Sequence, residues 1–398
     1  MTSTTSGNTA LPLAGIQVLD LSAYIAGPYG CTLLADLGAE VIKIEPPEGD
    51  NLRKYPSTLE AESRAFIGVN RGKRGISLDL KSAEGYDIFL TLLHKADVLV
   101  HNFRPTVPPR LKIDFQTLSQ LNPRLVYCAM TGYGSTGPMA NNAGYDQVLQ
   151  AMSGICDSQG MGKAEPEIVY GSVVDFYASA MIANSVNAAL FKRERTGEGS
   201  YVEVSLLASA LTMQSTRLVW AEGEPKNIER DMRSGGITGI HPTKDGFIYL
   251  SANTPHFWEA LCSLLGLASL ASDERYDTVR KRAEQASVIV PIIRDALQQR
   301  SAAEWETHFG TRVPCAMVRP VHEMFDHPQV QAEGMVREFS HSKIGKYKSI
   351  TGLIKMNQAP CATARAAPDF GQHTSELLAE YGYSEQEIDL FRARGIVR

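Results

Sequence analysis

The sequence predicts an α/β protein with an open parallel sheet over roughly its first 210 residues, and three observations support this. Short apolar runs alternate with amphipathic stretches from residue 15 onward. The links between the runs are long enough to hold helices, which favours parallel strands with helices on the sheet faces. The chain has 398 residues, 43% of them apolar and 21% charged, so it can bury a real core in one large or two ordinary domains.

Each element of the predicted sheet has its own signal, either an apolar run or a helical stripe that ends at a turn residue. Gly27 and Pro28 mark the turn between the first strand and the first helix. In order, the predicted elements are a strand at 16–21, a helix to Leu37, a strand at 41–44, a helix from Ser82 to His94, and strands at 98–101 and 125–130.

A long helix is predicted from Phe176 to Arg193, rich in alanine and ended by Gly197. Small side chains on this helix predict close packing against a neighbour. The composition then shifts to glycine, proline and charge near residues 223–239, before a strand at 246–251 and helical patterns at 255–310. The shift predicts a second, smaller α/β domain at about 226–325. A final helix is predicted by the capping box of Ser384 and Glu387.

Charge and cysteine content exclude several classes of function. Lys and Arg number 39 against 44 Asp and Glu, a net charge of −5 that does not suit nucleic-acid binding. The six cysteines are scattered without a CxxC spacing, as expected for free thiols in a reducing cytoplasm. The N-terminus lacks the pattern of a signal peptide, and residues 1–10 are predicted to be a flexible tail. Since no apolar run reaches 18 residues, no membrane span is expected.

Two motifs imitate known binding sites. Residues 132–137 satisfy GxGxxG, but Pro138 and the following asparagines oppose the helix that a dinucleotide site requires. His322 and His327 stand five residues apart, which on a helix points them in different directions and excludes a shared metal. The sequence contains neither a GxSxG elbow nor a phosphate-binding GxxxxGK[ST] loop.

Asp175 is the residue with two competing interpretations. It follows an apolar run and directly precedes the alanine-rich helix, so it could simply cap that helix. The alternative is a carboxylate nucleophile, since an aspartate with an ordinary pKa of ~3.9 is ionised at neutral pH and can attack an activated acyl carbon.

Several separated motifs carry a resemblance that covers residues 11–398. The chain resembles the class III coenzyme A transferases, the CaiB/BaiF group of formyl-CoA and carnitine CoA-transferases, which also contains α-methylacyl-CoA racemases. The motifs are Pro12-Leu-Ala-Gly-Ile16, Ala26-Gly-Pro28, the run 34–45, Gly49-Asp50, Asn70-Arg-Gly-Lys-Arg74, Leu78-Asp-Leu-Lys81, Asn102-Phe-Arg-Pro105, Leu121-Asn-Pro-Arg124, residues 132–138, and Gly371-Gln-His-Thr374.

The resemblance implies a fold and an assembly. It implies a Rossmann-like large domain built from residues 11–215 and 330–398, with the small domain at 226–325 between them in sequence. It also implies a homodimer of interlinked subunits, with the active site between large and small domains of different subunits.

The resemblance implies that Asp175 is the catalytic nucleophile. Asp175 would attack an acyl-CoA, possibly succinyl-CoA, to form a mixed anhydride and then an aspartyl-CoA thioester that an acceptor acid resolves. Coenzyme A, as acyl-CoA, would be a substrate, and no metal is expected. The CoA-binding residues implied are Asn70, Arg71, Lys73, Arg74, Asn102, Arg104, Arg110, Leu111 and Tyr133.

Most of these residues also have ordinary structural interpretations. Arg71, Lys73 and Arg74 could form a solvated loop, Asn102 a turn at a strand end, and Tyr133 a packed loop aromatic. Substrate contacts are expected from Ile25, Ala26, Tyr145, Arg233, Gly235, Gly236 and His241. Of these, Arg233 and His241 could meet a distal carboxylate or could belong to a surface turn.

Departures from the family pattern narrow the function. Thr106 and Lys112 replace glycines and enclose Pro108 and Pro109, which makes that loop stiffer. Ile25 and the short Gly235-Gly236 segment disfavour oxalate as acceptor. Tyr145 stands where racemases have a histidine, and its ordinary pKa near 10 makes it a poor base, so racemase activity is the disfavoured alternative. A CoA-binding protein without catalysis is the other alternative.

Overall fold

The computed structural model describes residues 11–160, 165–224 and 237–398. These residues form two compact units, one from the residues up to 219 together with 329–398, the other from 220–328. The predicted tail at residues 1–10 lies outside the described residues. No helix in the described ranges is long and apolar enough to cross a membrane.

The first unit is built on a six-stranded sheet in which every neighbouring pair is parallel. Its strand order is 3-2-1-4-5-6, the doubly wound order. In this order successive strands are added on one side of β1 up to β3 and on the other side from β4 onward, so the strand order reverses between β1 and β4. The predicted mixed α/β class with a parallel sheet is confirmed. The strands are β1 Gln17–Asp20, β2 Glu40–Glu45, β3 Lys73–Ser77, β4 Val98–His101, β5 Val126–Thr131 and β6 Ser200–Ser205.

Helices cover both faces of this sheet because alternate strand residues point to opposite sides. Val98 and Val100 lie in one apolar core and Leu99 in the other. Up to residue 219 the helices are α1 Ala26–Asp36, α2 Arg64–Asn70, α3 Ala83–Leu93, α4 Val107–Arg110, α5 Phe115–Leu121, α6 Asp146–Met152, α7 Ile155–Gln159, α8 Val173–Thr196 and α9 Leu206–Thr212. A 3₁₀ turn spans Asn51–Lys54.

The alanine-rich helix α8 packs closely on α1, as its small side chains predict. Ala178 and Ala183 are buried in this contact region. At Gly30 of α1, an added Cβ would lie 2.8 Å from Cγ2 of Ile182, so a larger side chain there would push the helices apart. This packing fixes the start of α8 against the sheet.

The second unit has its own core around Trp258 and Trp305. A three-stranded antiparallel sheet pairs β7 Gly239–Pro242 with β8 Phe247–Leu250, and β8 with β9 Cys315–Met317. Its helices are α10 Pro255–Leu264, α11 Ala268–Ala271, α12 Val279–Glu284, α13 Ala286–Leu297 and α14 Ala302–Phe309, with 3₁₀ turns at Glu274–Tyr276 and Val321–Phe325.

The C-terminal segment packs on the six-stranded sheet, where Leu78 forms a β-bridge with Val397. Its final helix begins with the predicted capping box, since Ser384 and Glu387 each bond to the other's backbone. The elements are α15 Pro328–Ala332, β10 Val336–His341, β11 Gly345–Ile350, β12 Ile354–Met356, β13 Ala359–Cys361, α16 Thr374–Glu380 and α17 Glu385–Ala393.

Candidate active site

A cavity of about 340 Å³ lies at the carboxyl edge of the six-stranded sheet and contains Asp175. Its walls come from the residues that follow β1, β4 and β5 and from the start of α8, all within the first unit. Ligands in open α/β sheets bind where the strand order reverses, which here is between β1 and β4. The topology therefore places Asp175 at the expected ligand position.

Asp175 does not cap its helix. It is the third residue of α8, and Ser172 occupies the N-cap position in a left-handed conformation with φ of 56°. The Ser172 side chain makes no capping bond. Instead, Oδ2 of Asp146 accepts hydrogen bonds from the backbone nitrogens of Val174 at 2.7 Å and Asp175 at 3.0 Å. The capping interpretation of Asp175 is wrong, and its carboxylate is free for another role.

The environment of Asp175 favours its protonated form. Burial raises its pKa to about 7, and the negative charge of Asp146 contributes in the same direction. Among the described residues, no group donates a hydrogen bond to the Asp175 carboxylate. At pH 7 only about half of the molecules carry the ionised group, rather than nearly all as the ordinary pKa of ~3.9 implies. An ionised carboxylate that lacks hydrogen-bond donors is more nucleophilic than one whose charge such donors stabilise.

Three residues expected to meet the substrate line this cavity with Asp175: Ile25, Ala26 and Tyr145. The ring of Tyr145 meets the ring of Tyr24 edge to face, with centroids 5.7 Å apart. The neighbouring Tyr24 hydroxyl raises the pKa of Tyr145 above its ordinary value. Tyr145 is therefore even less suited to act as a base at neutral pH than its residue type implies.

The basic side chains of the expected cluster at residues 71–74 are paired with carboxylates of the same chain. Arg71 pairs with Asp36 at 2.7 Å, and Lys73 pairs with Asp20 at 2.7 Å. Arg74 pairs with three carboxylates, those of Glu40, Glu376 and Glu380.

These residues are buried because β3 lies beneath the C-terminal segment. Asn70 is buried as well, and its amide accepts from Lys73 and donates to the carbonyl of Phe66. Residues 70–74 thus do not form the solvated loop considered from the sequence, whereas the CoA contacts expected of them stay a prediction. A buried cation needs an internal partner, and each of these has one.

Unpaired basic groups are found elsewhere along the same edge of the sheet. Lys81, Arg104, Arg110 and Lys112 are exposed, and none of them forms an ion pair with a described residue. Arg104 lines the Asp175 cavity, whereas the other three line a second cavity together with Leu111. Arg104, Arg110 and Leu111 were predicted from the sequence, but Lys81 was not assigned to the site.

The two cavities are joined by a third of about 350 Å³. Phe103 lines both the Asp175 cavity and this third cavity. Lys81 and Leu111 line both the third cavity and the one that contains Arg110. The three cavities thus lie side by side between Asp175 and the basic groups, and together they are called the trough below.

Two further residues expected to bind CoA have other contacts. Oδ1 of Asn102 accepts from the backbone nitrogen of Ala23 at 2.9 Å, and its Nδ2 donates to the carbonyl of Ala23 at 2.7 Å. Tyr133 does not line the Asp175 cavity, because its ring packs on the sheet core and its hydroxyl donates to the carbonyl of Ala143.

The remaining expected substrate residues belong to the region of the second unit. Arg233, Gly235 and Gly236 lie outside the described residues. His241 is on β7 with no exposed surface, and its Nε2 is 2.9 Å from the carbonyl of Ile237. Burial also lowers the pKa of His241, so its neutral form is favoured. Its placement is that of a core histidine.

One group of possible metal ligands occurs among the described residues, formed by Glu62, His341 and Asp369. Nδ1 of His341 accepts a hydrogen bond from the backbone nitrogen of Lys343 at 3.2 Å. The neutral imidazole therefore carries its proton on Nε2, which lies 3.7 Å from Asp369. A protonated nitrogen is no ligand, so this group fits an internal contact better than a metal site.

Comparisons with known proteins agree over almost the whole chain. The profile of one family, described as CoA-transferase family III, matches residues 13–374. A curated succinate–glutarate CoA-transferase from Agrobacterium fabrum is 32% identical, and the match covers 94% of this chain and 96% of that protein. An acetyl-CoA:oxalate CoA-transferase from Acetobacter aceti is 35% identical over 97% of this chain and 100% of that protein. The crystal structure of a CaiB/BaiF family protein from Brucella suis has a TM-score of 0.82 at 28% identity, covering 93% of this chain and 99% of that one.

Proposed function

The chain belongs to CoA-transferase family III, and on that premise we propose that it moves coenzyme A between carboxylic acids through a covalent bond to Asp175. Membership confirms the resemblance drawn from the sequence, and the protein is accordingly a CoA-transferase. One observation supports Asp175 as the nucleophile. Asp175 lines the cavity at the point where the strand order reverses, and its carboxylate accepts no hydrogen bond from a described residue.

The proposed reaction balances without water or ATP. An oxygen of ionised Asp175 attacks the thioester carbonyl of the acyl-CoA, and the CoA thiolate leaves, which gives a mixed anhydride. The thiolate then attacks the aspartyl carbonyl and releases the first acid as its carboxylate. The acceptor carboxylate attacks the resulting aspartyl-CoA thioester, and the released thiolate attacks the acceptor carbonyl of the second anhydride. This last step regenerates Asp175.

The trough supports a position for CoA along the carboxyl edge of the sheet. Its adenosine phosphates and pyrophosphate are anionic, and Lys81 and Arg110 are exposed cations at the end far from Asp175. Phe103 and Leu111 offer apolar walls between the two ends. In this arrangement the thiol end of CoA reaches Asp175 while the phosphates meet lysine and arginine.

We further propose dicarboxylic acids as substrates, with a succinyl-CoA type of donor. The two relatives carry succinate, glutarate and oxalate in their names, and all three are dicarboxylic acids. Arg104 lines the Asp175 cavity without an internal ion pair, so it can receive a distal carboxylate. Ile25 and the short glycine segment still argue against oxalate for this chain.

We also propose that the protein is a homodimer. The first unit exposes large apolar side chains on and before α8, namely Ile168 at 54%, Tyr170 at 95%, Phe176 at 40% and Phe191 at 66% of their surface. An accumulation of large exposed apolar side chains along one segment favours a protein interface there. The threading of the two subunits that the family resemblance implies belongs to the same proposal.

The test is mass spectrometry of CoA esters after incubation of the protein with pooled acyl-CoAs and pooled mono- and dicarboxylic acids. The wild type is expected to form new esters and Asp175→Ala to form none. Asp157→Ala, which removes an exposed aspartate from α7, is the matched control and should behave as wild type.

Hydroxylamine provides a second readout, because it converts an aspartyl anhydride or thioester to a stable hydroxamate that peptide mapping should locate at Asp175. Full exchange by Asp175→Ala would refute the covalent role. Incorporation of solvent deuterium at the α-carbon without exchange of CoA would favour the racemase alternative.

A further inference from the structure

The loop that joins β1 to α1, residues 22–25, forms the wall of the cavity on one side of Asp175. Tyr24 and Ile25 line that cavity. Tyr24 has a φ of 64°, a left-handed conformation that a bulky residue adopts only when its surroundings enforce it. Something outside the loop must therefore hold it.

Side chains from other elements hold consecutive backbone groups of this loop. Asp20 and Lys43 hold the backbone of Ser22, Asn102 holds both polar groups of Ala23, and Asp50 holds Tyr24. The hydrogen bonds run from Ser22 N to Asp20 at 2.9 Å, from Lys43 Nζ to Ser22 O at 2.9 Å, from Ala23 N to Asn102 at 2.9 Å, from Asn102 to Ala23 O at 2.7 Å, and from Tyr24 N to Asp50 at 3.2 Å.

These holding groups are anchored in turn. Lys43 forms an ion pair with Asp50 at 3.0 Å, and both side chains are almost fully buried. The carboxylate of Asp20 is also paired with Lys73. Buried and fully paired ions have little freedom to move, so the loop is fixed to the body of the sheet.

The loop also packs closely against the first turn of α1, where Gly27 has no side chain. At Gly27, an added Cβ would lie 2.3 Å from Cβ of Ser22, so only glycine permits this approach. The loop is thus fixed both by its hydrogen bonds and by contact with the first turn of the helix.

From these contacts we infer that the Asn102 side chain is a positioning group, which holds the 22–25 loop against the Asp175 cavity. The inference rests on the proposed function and adds a residue to its machinery. Asn102 stands directly after β4 and lines the cavity, and both ends of its amide bind one residue of the loop. Loss of this clamp displaces Tyr24 and Ile25 relative to the substrate, which lowers the turnover rate.

The decisive variant is Asn102→Ala, assayed by CoA exchange at saturating substrates and by calorimetric titration with free CoA. The expected result is a fall in kcat of at least about tenfold with the affinity for CoA within about twofold of wild type. A tenfold weaker affinity for CoA with kcat retained would make Asn102 a CoA ligand and overturn the inference. Retention of both parameters would also overturn it.

Asn122→Ala is the matched control. The Asn122 amide also binds backbone carbonyls, those of Leu93 at 3.1 Å and Ala96 at 2.8 Å, but it does not line the cavity. This control should lower the melting temperature and leave kcat unchanged. If wild type shows no exchange at all, the proposed function fails, whereas an active wild type with an unaffected Asn102→Ala rejects only the positioning role.

A second variant tests the bonding itself through pH. In Asn102→Asp, the protonated carboxyl group accepts from Ala23 N and donates to Ala23 O, whereas the ionised group cannot donate. The ratio of its kcat to that of wild type should therefore fall at least about tenfold as pH rises through the carboxyl pKa. Asn102→Ala should show a low ratio at every pH, which separates loss of the clamp from a charge effect on Asp175. A flat ratio for Asn102→Asp, equal to wild type, would contradict the inference.

Discussion

Oδ2 of Asp146 lies 3.0 Å from the backbone nitrogen of Asp175 and accepts its hydrogen bond. A second carboxylate therefore fixes the backbone of the nucleophile and also disfavours the nucleophile's negative charge. Asp146 is itself held by Gln150, whose Nε2 donates to Oδ1 at 2.5 Å. One buried neighbour thus fixes the backbone of Asp175 and adds to the effect of burial on its protonation.

Replacement of that neighbour by its neutral analogue should shift the pH dependence of exchange. Because activity requires ionised Asp175, kcat/KM should rise with pH through about 7 in the wild type. In Asp146→Asn the neighbouring charge is gone and the pKa of Asp175 falls, so the rise should occur about one pH unit lower.

The measurement is kcat/KM from pH 5 to 9, with thermal melts to correct for stability. Gln150→Ala serves as the control, since it removes a neighbour of Asp146 without removing the charge. An unchanged midpoint in Asp146→Asn would contradict this account of the electrostatics.

The raised pKa of Asp175 also makes a prediction for stability. In the folded protein its pKa is about 7, above the ordinary value of ~3.9, so the folded state holds the proton more tightly than the unfolded chain. Between about pH 4 and pH 7 the unfolded chain ionises first, and the stability of the fold falls as pH rises.

Asp175→Asn removes the cost of ionising a buried carboxyl group, so it should be more stable than wild type by up to about 4 kcal/mol well above pH 7, with no difference below about pH 4. Urea denaturation at both pH values measures the difference. An equal gain at both pH values would show that the effect is one of packing and not of charge.

The long helices α1, α3 and α8 and the inner strands of the first unit were predictable because their apolar spacing is strong. Strands at 41–44 and 98–101 appear as β2 and β4 within two residues of their predicted bounds. The strand β3 was missed because Lys73 and Arg74 make its sequence look like a solvated loop. Only the folded chain shows that Asp20, Glu40 and Glu380 supply their counter-charges from distant positions.

In the candidate site, too, residues with a local sequence signal were predictable, and residues whose role depends on contacts between distant positions were not. Asp175 was recognisable from its position before an alanine-rich helix, but the role of Asp146 depends on a contact across 29 residues that no local pattern records. Lys81 was visible in a motif, yet its freedom from ion pairs is a property of the fold. Burial and pairing, rather than residue type, decide which cations can meet a ligand.

Arg104 provides a test of the proposed substrate class. If it receives a distal carboxylate, Arg104→Ala should raise KM for a dicarboxylate such as glutarate about tenfold and leave KM for a monocarboxylate of similar length unchanged. Initial rates with each acid at fixed succinyl-CoA measure the difference, and Arg104→Lys should restore part of it. An equal rise for both acids, or a rise only in KM for the CoA ester, would move Arg104 from the acid site to the CoA site.

The exposed cations of the trough and the buried cations at residues 71–74 lead to opposite predictions for KM and stability, and one experiment tests both. Lys81→Ala and Arg110→Ala remove exposed cations of the trough and should each raise KM for the acyl-CoA about tenfold, with the melting temperature unchanged.

Lys73→Ala leaves Asp20 buried without its ion-pair partner, and should lower the free energy of unfolding by about 3 kcal/mol. In the fraction of Lys73→Ala that remains folded, KM for the acyl-CoA should stay near the wild-type value. Steady-state kinetics and thermal melts of the three variants side by side decide the matter. A folded Lys73→Ala with a strongly raised KM for the acyl-CoA would return CoA binding to the 70–74 segment.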